Sequence, residues 1–188
     1  MDKSSDFNYE IQVPEERIPI LIGSAGSVKN EISNRCNVKL SIQSDTGRLL
    51  ITPNSNNNDD FFKAIEIVKA ISYGFSPDNA LILLDDDNSL EIIDFRDFIG
   101  KSPKSISRMK GRVIGESGKT RKTIQELTGC LISVYHHTVA IIGSYNENKI
   151  AHDAILLLLK GKSHRSVYDM LYLAKRKSKI EKLQLWED

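Results

Sequence analysis

The hydrophobic positions of this chain change period repeatedly, and each change marks an element. Tyr9, Ile11 and Val13 alternate with polar neighbours, the two-residue period of a short strand, after a polar tail over 1–6. Pro14-Glu15-Glu16 opens a helix with Pro and acids in its first turn, and Ile18, Leu21 and Ile22 form its apolar face. Gly23-Ser24-Ala25-Gly26 breaks that helix. Ser27 reads as the N-cap of the next one, with Val28 and Ile32 inward. Val38, Leu40 and Ile42 alternate again, Asp45-Thr46-Gly47 turns, and Leu49-Leu50-Ile51 returns as a strand. Beyond the polar run from Asn54 to Asn58, Asp59 or Asp60 caps a helix carrying Phe61, Ala64, Ile65, Val68 and Ile71.

The second half starts with a Ser76-Pro77 helix carrying Ala80, Leu81, Leu83 and Leu84, which ends at Asp85-Asp86-Asp87-Asn88. Leu90 to Phe95 reads as a strand, and Phe95 to Gly100 as an added turn or short helix. Ser102-Pro103 opens a helix with Ile106, Met109, Val113 and Ile114 on one face, running into Gly115-Glu116-Ser117-Gly118. A helix from Lys119 to Leu127 closes on Thr128-Gly129. Leu131 to Tyr135 and Val139 to Ile142 are strands joined through His136-His137-Thr138. Helices from Asn146 to Lys160 and from about Arg165 to Leu183 complete the chain.

The two halves repeat each other at a spacing of about ninety residues. Superposing Gly23 on Gly115 brings Gly26 onto Gly118, Ile22 onto Ile114, Lys29 onto Arg121, Ile32 onto Ile124, Leu40 onto Ile132 and Ile42 onto Val134. After a small shift in loop length, Ala64-Ile65 matches Ala154-Ile155. Each half is therefore expected to be one α+β unit of order β-α-α-β-β-α, a three-stranded antiparallel sheet with three helices on one face. The expected divisions are a first domain over 1–75, a linker helix and acidic turn over 76–89, and a second domain over 90–188. That second domain carries an insertion before its glycine loop and a basic C-terminal helix.

Gly115 and Gly118 invite a phosphate, because glycine admits positive φ and close backbone approach, and a helix start directs N–H groups at the loop. The tail GESGKT imitates a nucleotide-binding P-loop, but the first glycine of that motif falls on Val113. The preceding Ser105 to Lys110 is polar and basic, not a buried strand. The pattern [IV]-[IV]-G-x-x-G-[KR] instead suits the loop with which KH domains clamp a single-stranded nucleic-acid backbone.

Charge sharpens the picture. Formal net charge is +1 over 188 residues, yet residues 1–100 hold 9 basic against 17 acidic side chains and residues 101–188 hold 17 against 8. A polyanion partner is expected on the second half. Cys36 and Cys130 read as packed thiols in a reducing, cytoplasmic compartment. No signal peptide, membrane span, metal-ligand spacing or cofactor motif stands out, and no catalytic constellation does.

The chain resembles the type I KH fold twice over, and in particular the archaeal KH-domain small-ribosomal-subunit assembly family, relatives of the eukaryotic "partner of Nob". The residues that carry this resemblance are Ser76-Pro77 with Ala80, Leu83-Leu84 and Asp85 to Asp87, then Leu90 to Arg96, Lys101-Ser102-Pro103, Lys110 to Arg121, Thr138 to Gly143, and Ser166-Val167-Tyr168. The resemblance implies a non-enzymatic protein that binds pre-ribosomal RNA near the 3′ end of the small-subunit RNA. It also implies a Nob-type endonuclease as partner and a link to the alpha subunit of initiation factor two.

On this reading the RNA site comprises Arg112, Ile114, Gly115, Glu116, Ser117, Gly118, Lys119, Thr120, Arg121, Lys122, Ile132, Val134 and His137. Ile114, Ile132 and Val134 are either an apolar floor under the bases or plain core. His136 and His137 either stack on bases or form an exposed turn. A carboxylate at Glu116 sits oddly in a phosphate clamp. The first loop, with Ile22, Gly23, Ser24, Ala25, Gly26 and Lys29, is a secondary contact, short of cations. The bases of the last helix, among them Arg165, Lys175, Arg176, Lys179 and Lys182, either extend the RNA path or form a solvated face. The alternatives are an adaptor whose acidic half docks proteins and, distantly, a nucleotide-binding enzyme. The expected state is a monomer that does not touch a membrane.

Overall fold

The computed structural model describes residues 8–43, 45–54 and 58–184, excluding the side chains of 58 and 181–184. The polar tail over 1–6, residues 55–57 of the Asn-rich run and the Lys182 side chain lie outside the described residues.

The chain forms two compact units, Met1–Asp86 and Asp87–Asp188. In the first, the strands are β1 (Tyr9–Gln12), β2 (Val38–Gln43) and β3 (Arg48–Pro53), and the helices are α1 (Ile18–Ile22), α2 (Ser27–Arg35) and α3 (Asn58–Ser72). The sheet is antiparallel in the order β1-β3-β2. Tyr9 and Leu40 both pair with Ile51, so the alternating apolar residues share one face. Leu40, Leu49 and Ile51 are buried there, against Ile32, Phe61 and Ile71 from the helices.

The leucine-rich stretch after α3 does not serve as a free linker. It forms α4 (Pro77–Ala80) and a 3-10 turn over Leu81–Leu84, with Ala80 and Leu83 buried. Both segments contact α3, and Lys63 Nζ donates to the Leu84 carbonyl at 2.8 Å. Residues 76–86 belong to the first unit because their leucines need an apolar surface to cover.

The second unit has β4 (Asn88–Asp94), α5 (Arg96–Ile99), α6 (Pro103–Ile114), α7 (Lys119–Thr128), β5 (Leu131–Tyr135), β6 (Thr138–Ser144), α8 (Tyr145–Leu159) and α9 (His164–Gln184). Its antiparallel order is β4-β6-β5. Phe95, Val113, Ile124, Ile141 and Ile155 centre the core, and Val167 and Leu171 of α9 close it. The fold is α+β, two three-stranded antiparallel sheets each covered by helices.

The helix that follows the last strand of each unit, α3 in the first and α8 in the second, ends in the same way. Gly74 (φ 99°) donates to Ile71 O and Phe75 N–H to Ala70 O; Gly161 (φ 85°) donates to Leu158 O and Lys162 N–H to Leu157 O. This is the double bond of a glycine-terminated helix. An arginine completes each end. Arg17 donates through Nε to Ile71 O at 2.7 Å and through Nη2 to Phe75 O. Arg112 donates through Nε to Leu158 O at 3.2 Å and through Nη2 to Lys162 O at 2.6 Å.

These matched ends correct the alignment of α3 with α8. Ile71 corresponds to Leu158, so Ala154-Ile155 answers Ile67-Val68 rather than Ala64-Ile65. The buried residues Ala151, Ala154, Ile155 and Leu158 then coincide with buried Ala64, Ile67, Val68 and Ile71. A slip of three residues keeps a helical stripe nearly in phase, so periodicity alone does not resolve it.

Two caps also differ from expectation. Gly26 in the left-handed conformation, not Ser27, is the N-cap of α2. The start of α8 is a capping box between Ser144 and Glu147, a Ser-x-x-Glu pattern that sets the helix start at Tyr145 rather than Asn146. Cys36 and Cys130 are free and buried, and burial pushes both thiols up to about 11.

Candidate nucleic-acid interface

In each unit two helices meet at a glycine loop, and the two loops share one backbone. Gly115 has φ 75° and ψ 176°, Ser117 φ 50° and ψ 29°, Gly118 φ 80° and ψ 6°. Gly23, Ala25 and Gly26 have 72° and 178°, 49° and 30°, and 80° and 14°. Three of four residues at positive φ make a sharp elbow with its two middle residues exposed. Two amides are committed inside it: Gly118 N–H donates to Gly115 O at 3.3 Å, and Lys119 N–H to Glu116 O. The expectation that the Lys119 helix start offers its first N–H is therefore corrected.

The two glycines of the second loop are needed for different reasons. A Cβ on Gly115 would lie 2.7 Å from both Cβ and backbone N of Thr120. A Cβ on Gly118 would meet nothing within 4 Å, so only its left-handed torsion favours glycine. Thr120 is 3% exposed and cannot offer its hydroxyl to RNA; it props the loop from beneath. Tyr168 Oη donates to Thr120 Oγ1 at 3.0 Å, and a His164 ring nitrogen lies 2.9 Å from Arg112 O. Helix α9 thus buttresses the loop, a role no spacing rule gives to residues 48 apart. In the first unit Val28 takes the place of Thr120, its Cγ2 2.6 Å from where a Gly23 Cβ would stand.

Tyr168→Phe should therefore lower the stability of the second unit by about 1–2 kcal/mol, since it leaves a buried hydroxyl without its donor. Adding Thr120→Val, the apolar solution of the first unit, should recover part of that loss. A double-mutant cycle by urea denaturation measures the coupling; strict additivity would contradict it.

The remaining predicted residues fall into three groups. The side chains of Lys119 and Arg121 are exposed and make no hydrogen bond or ion pair among the described residues, and Glu116 and Ser117 are exposed at the tip. Lys122 is exposed, in a loose 3.8 Å pair with Glu126. Ile114 and Val134 are partly buried at the rim. By contrast Ile132, 4% exposed, is core rather than a floor for bases, because its strand phase points it at the helices. Arg112 commits two of its five guanidinium N–H groups, on Nε and Nη2, to the end of α8. His137 is partly buried, with Nε2 3.7 Å from an Asp94 carboxylate oxygen, and its carbonyl accepts from Phe95 N–H at 2.8 Å. The Arg96 guanidinium, bonded to the same Asp94, holds that carboxyl below the usual carboxylate range. His136, at φ 46°, is exposed with its ring edge-on to Tyr135.

In the first loop Ser24 and Ala25 are exposed, Ile22 is partly buried, and Lys29 is the nearest downstream cation. Among the described residues no group of three His, Cys, Asp or Glu is placed to hold a metal ion, and no helix is long and apolar enough to cross a membrane.

This geometry defines a class: a tandem type I KH protein with one cation-flanked loop. Residues 89–176 match the family described as eukaryotic type KH-domain (KH-domain type I), of the second PNO1 repeat, and residues 8–61 match the KH domain family. A KH domain-containing protein of Methanocaldococcus jannaschii is 41% identical over 99% of this chain and 81% of its own length. The pre-rRNA-processing protein PNO1 of Coccidioides immitis is 25% identical over 87% of this chain and 66% of its own. Among solved structures, Dim2p from Pyrococcus horikoshii superposes with a TM-score of 0.82 at 41% identity, covering 88% of this chain and 98% of that one. A complex of a/eIF2alpha, aDim2p and rRNA from the same organism gives 0.86 at 39% identity, over 93% and 97%. The chain belongs to the archaeal PNO1/Dim2-like KH family.

Proposed function

We propose that this protein binds single-stranded RNA of the small ribosomal subunit during pre-rRNA processing, through Gly115–Gly118 and the cations that follow. The observation that carries this reading is the contrast between two loops of one backbone shape: only the second is followed by the exposed, unpaired Lys119 and Arg121. Backbone elbows position a phosphate, and cations supply most of the affinity. Relatives named as pre-rRNA-processing proteins, and the Pyrococcus complex that includes rRNA and a/eIF2alpha, support it.

In this role the protein has no catalytic activity of its own and works in the cytoplasm as a monomer. Its RNA segment lies near the 3′ end of the small-subunit rRNA, and its protein partners are a Nob-type endonuclease and the alpha subunit of initiation factor two. The first unit serves as an auxiliary RNA contact or as the platform for those proteins. Anisotropy titration of a short single-stranded RNA over a range of salt tests the central claim. With about three cations engaged, log affinity should fall against log salt with a slope near −2. A flat salt dependence would sink it.

A further inference from the structure

The second elbow is tied on both flanks to one helix. His164 and Tyr168 stand one turn apart at the start of α9, so they share a face. A His164 ring nitrogen lies 2.9 Å from Arg112 O, and because a carbonyl only accepts, that nitrogen carries the proton. Arg112 is in the last turn of α6, just before Gly115. Tyr168 Oη reaches Thr120 Oγ1, in the first turn of α7 just after Gly118. The two rings lie 6.3 Å apart and support each other. Helix α9 is itself firmly set: Ser163 Oγ accepts Ser166 N–H at 3.2 Å, and Val167 and Leu171 anchor it in the core. Through its bonds to Leu158 O and Lys162 O, Arg112 ties α6 to the corner between α8 and α9 a second time.

The first unit builds the same elbow differently. Val28 takes the place of Thr120 and offers no hydroxyl, and the segment after α3 packs on α3. The elbow's shape therefore does not depend on α9; what α9 adds is restraint. That restraint falls on the loop followed by exposed Lys119 and Arg121, not on the loop short of cations. Ser117, a non-glycine at φ 50°, gives the unrestrained elbow a reason to relax. Every conformer in which α6 and α7 shift apart is one that cannot seat a strand, and apparent affinity falls by the fraction so lost.

We infer that His164 and Tyr168 are positioning residues of the RNA clamp, holding α6 and α7 at a fixed angle so that a strand seated on Gly115–Gly118 leaves slowly. This rests on the reading of Gly115–Gly118 as that clamp. Both residues act through the α6 backbone and the buried Thr120, not on the strand itself. Their removal leaves the cations that steer association untouched, so the effect belongs to dissociation.

The test uses the full chain and a short oligouridine, followed by stopped-flow anisotropy at a temperature where circular dichroism shows every variant fully folded. Tyr168→Phe/His164→Ala should release the RNA about tenfold faster, with the association rate and salt slope of the parent. Should that variant not fold, each single change is read in the same way, at about threefold. His164→Gln, whose Nε2 donates from the position of the imidazole Nε2, should release RNA like the parent. Without RNA, the Gly118 and Lys119 amides bonded inside the elbow should exchange about tenfold faster in the double variant, while the Gly26 amide keeps the parent rate. A lowered thermal midpoint with unchanged release and exchange, with binding still abolished by Gly118→Asp/Lys119→Asp, would overturn the positioning role alone. If the parent and that loop variant bind the oligouridine equally well, the clamp reading fails and the role of α9 in binding fails with it.

Discussion

Replacing Gly118 and Lys119 together by Asp abolishes RNA binding in an anisotropy titration and leaves the circular dichroism spectrum of the parent. The two halves of this result have separate causes. Gly118 has φ 80° and ψ 6° with open space around it, and Asp is among the residues that enter the left-handed region most readily. The strain is about 1–2 kcal/mol, small enough for the unit to remain folded. Electrostatics act the other way: one cation is lost and two carboxylates face the phosphates. At surface separations each such reversal costs about 1–3 kcal/mol, so affinity should fall by on the order of a hundredfold or more. Undiminished binding would remove the loop from the RNA site.

Gly115→Ala, three residues earlier, should do the opposite and damage the fold before the function. At φ 75° and ψ 176° the backbone is in a region essentially reserved for glycine, and the added methyl would overlap the Thr120 backbone nitrogen. Neither cost can be relieved by rotating a side chain. The expected loss is about 3 kcal/mol or more, confined to the second unit. Hydrogen-exchange mass spectrometry reads this directly: amides of α6 and α7 lose protection, while those of α2 and α3 keep it. Full protection throughout would mean that the elbow relaxes around a Cβ.

Much of this architecture was legible in the chain because it rests on local rules. Period changes gave the strands and helices, and the paired glycines gave both elbows. The strand residues Leu40 and Ile132, matched through the glycines, do occupy equivalent core positions. What escaped was decided by contacts between distant segments. Arg112 carries a free-looking charge beside the loop, but its partners are carbonyls 46 and 50 residues away. Thr120 sits in a basic run, yet it is turned inward to a hydroxyl on α9. The helix at 76–84 follows a chain segment that looks finished, and only the surface of α3 shows where its leucines go. Glu116 is exposed at the loop tip, and nothing in the structure explains a carboxylate there.

Arg17 and Arg112 do not align: with the glycine loops superposed, Arg17 falls on Met109 and Arg112 on Ile20. Yet both grip equivalent carbonyls with the same two nitrogens. The duplicated halves have thus inherited a task and reassigned the residue that performs it. A comparison of the halves column by column scores those positions as mismatches and understates their kinship. The same holds for mutational data. A weaker RNA complex after Arg112→Ala would report a loosened end of α8 and the α6 carried with it, so a binding assay without a stability measurement would enrol a structural residue as a contact.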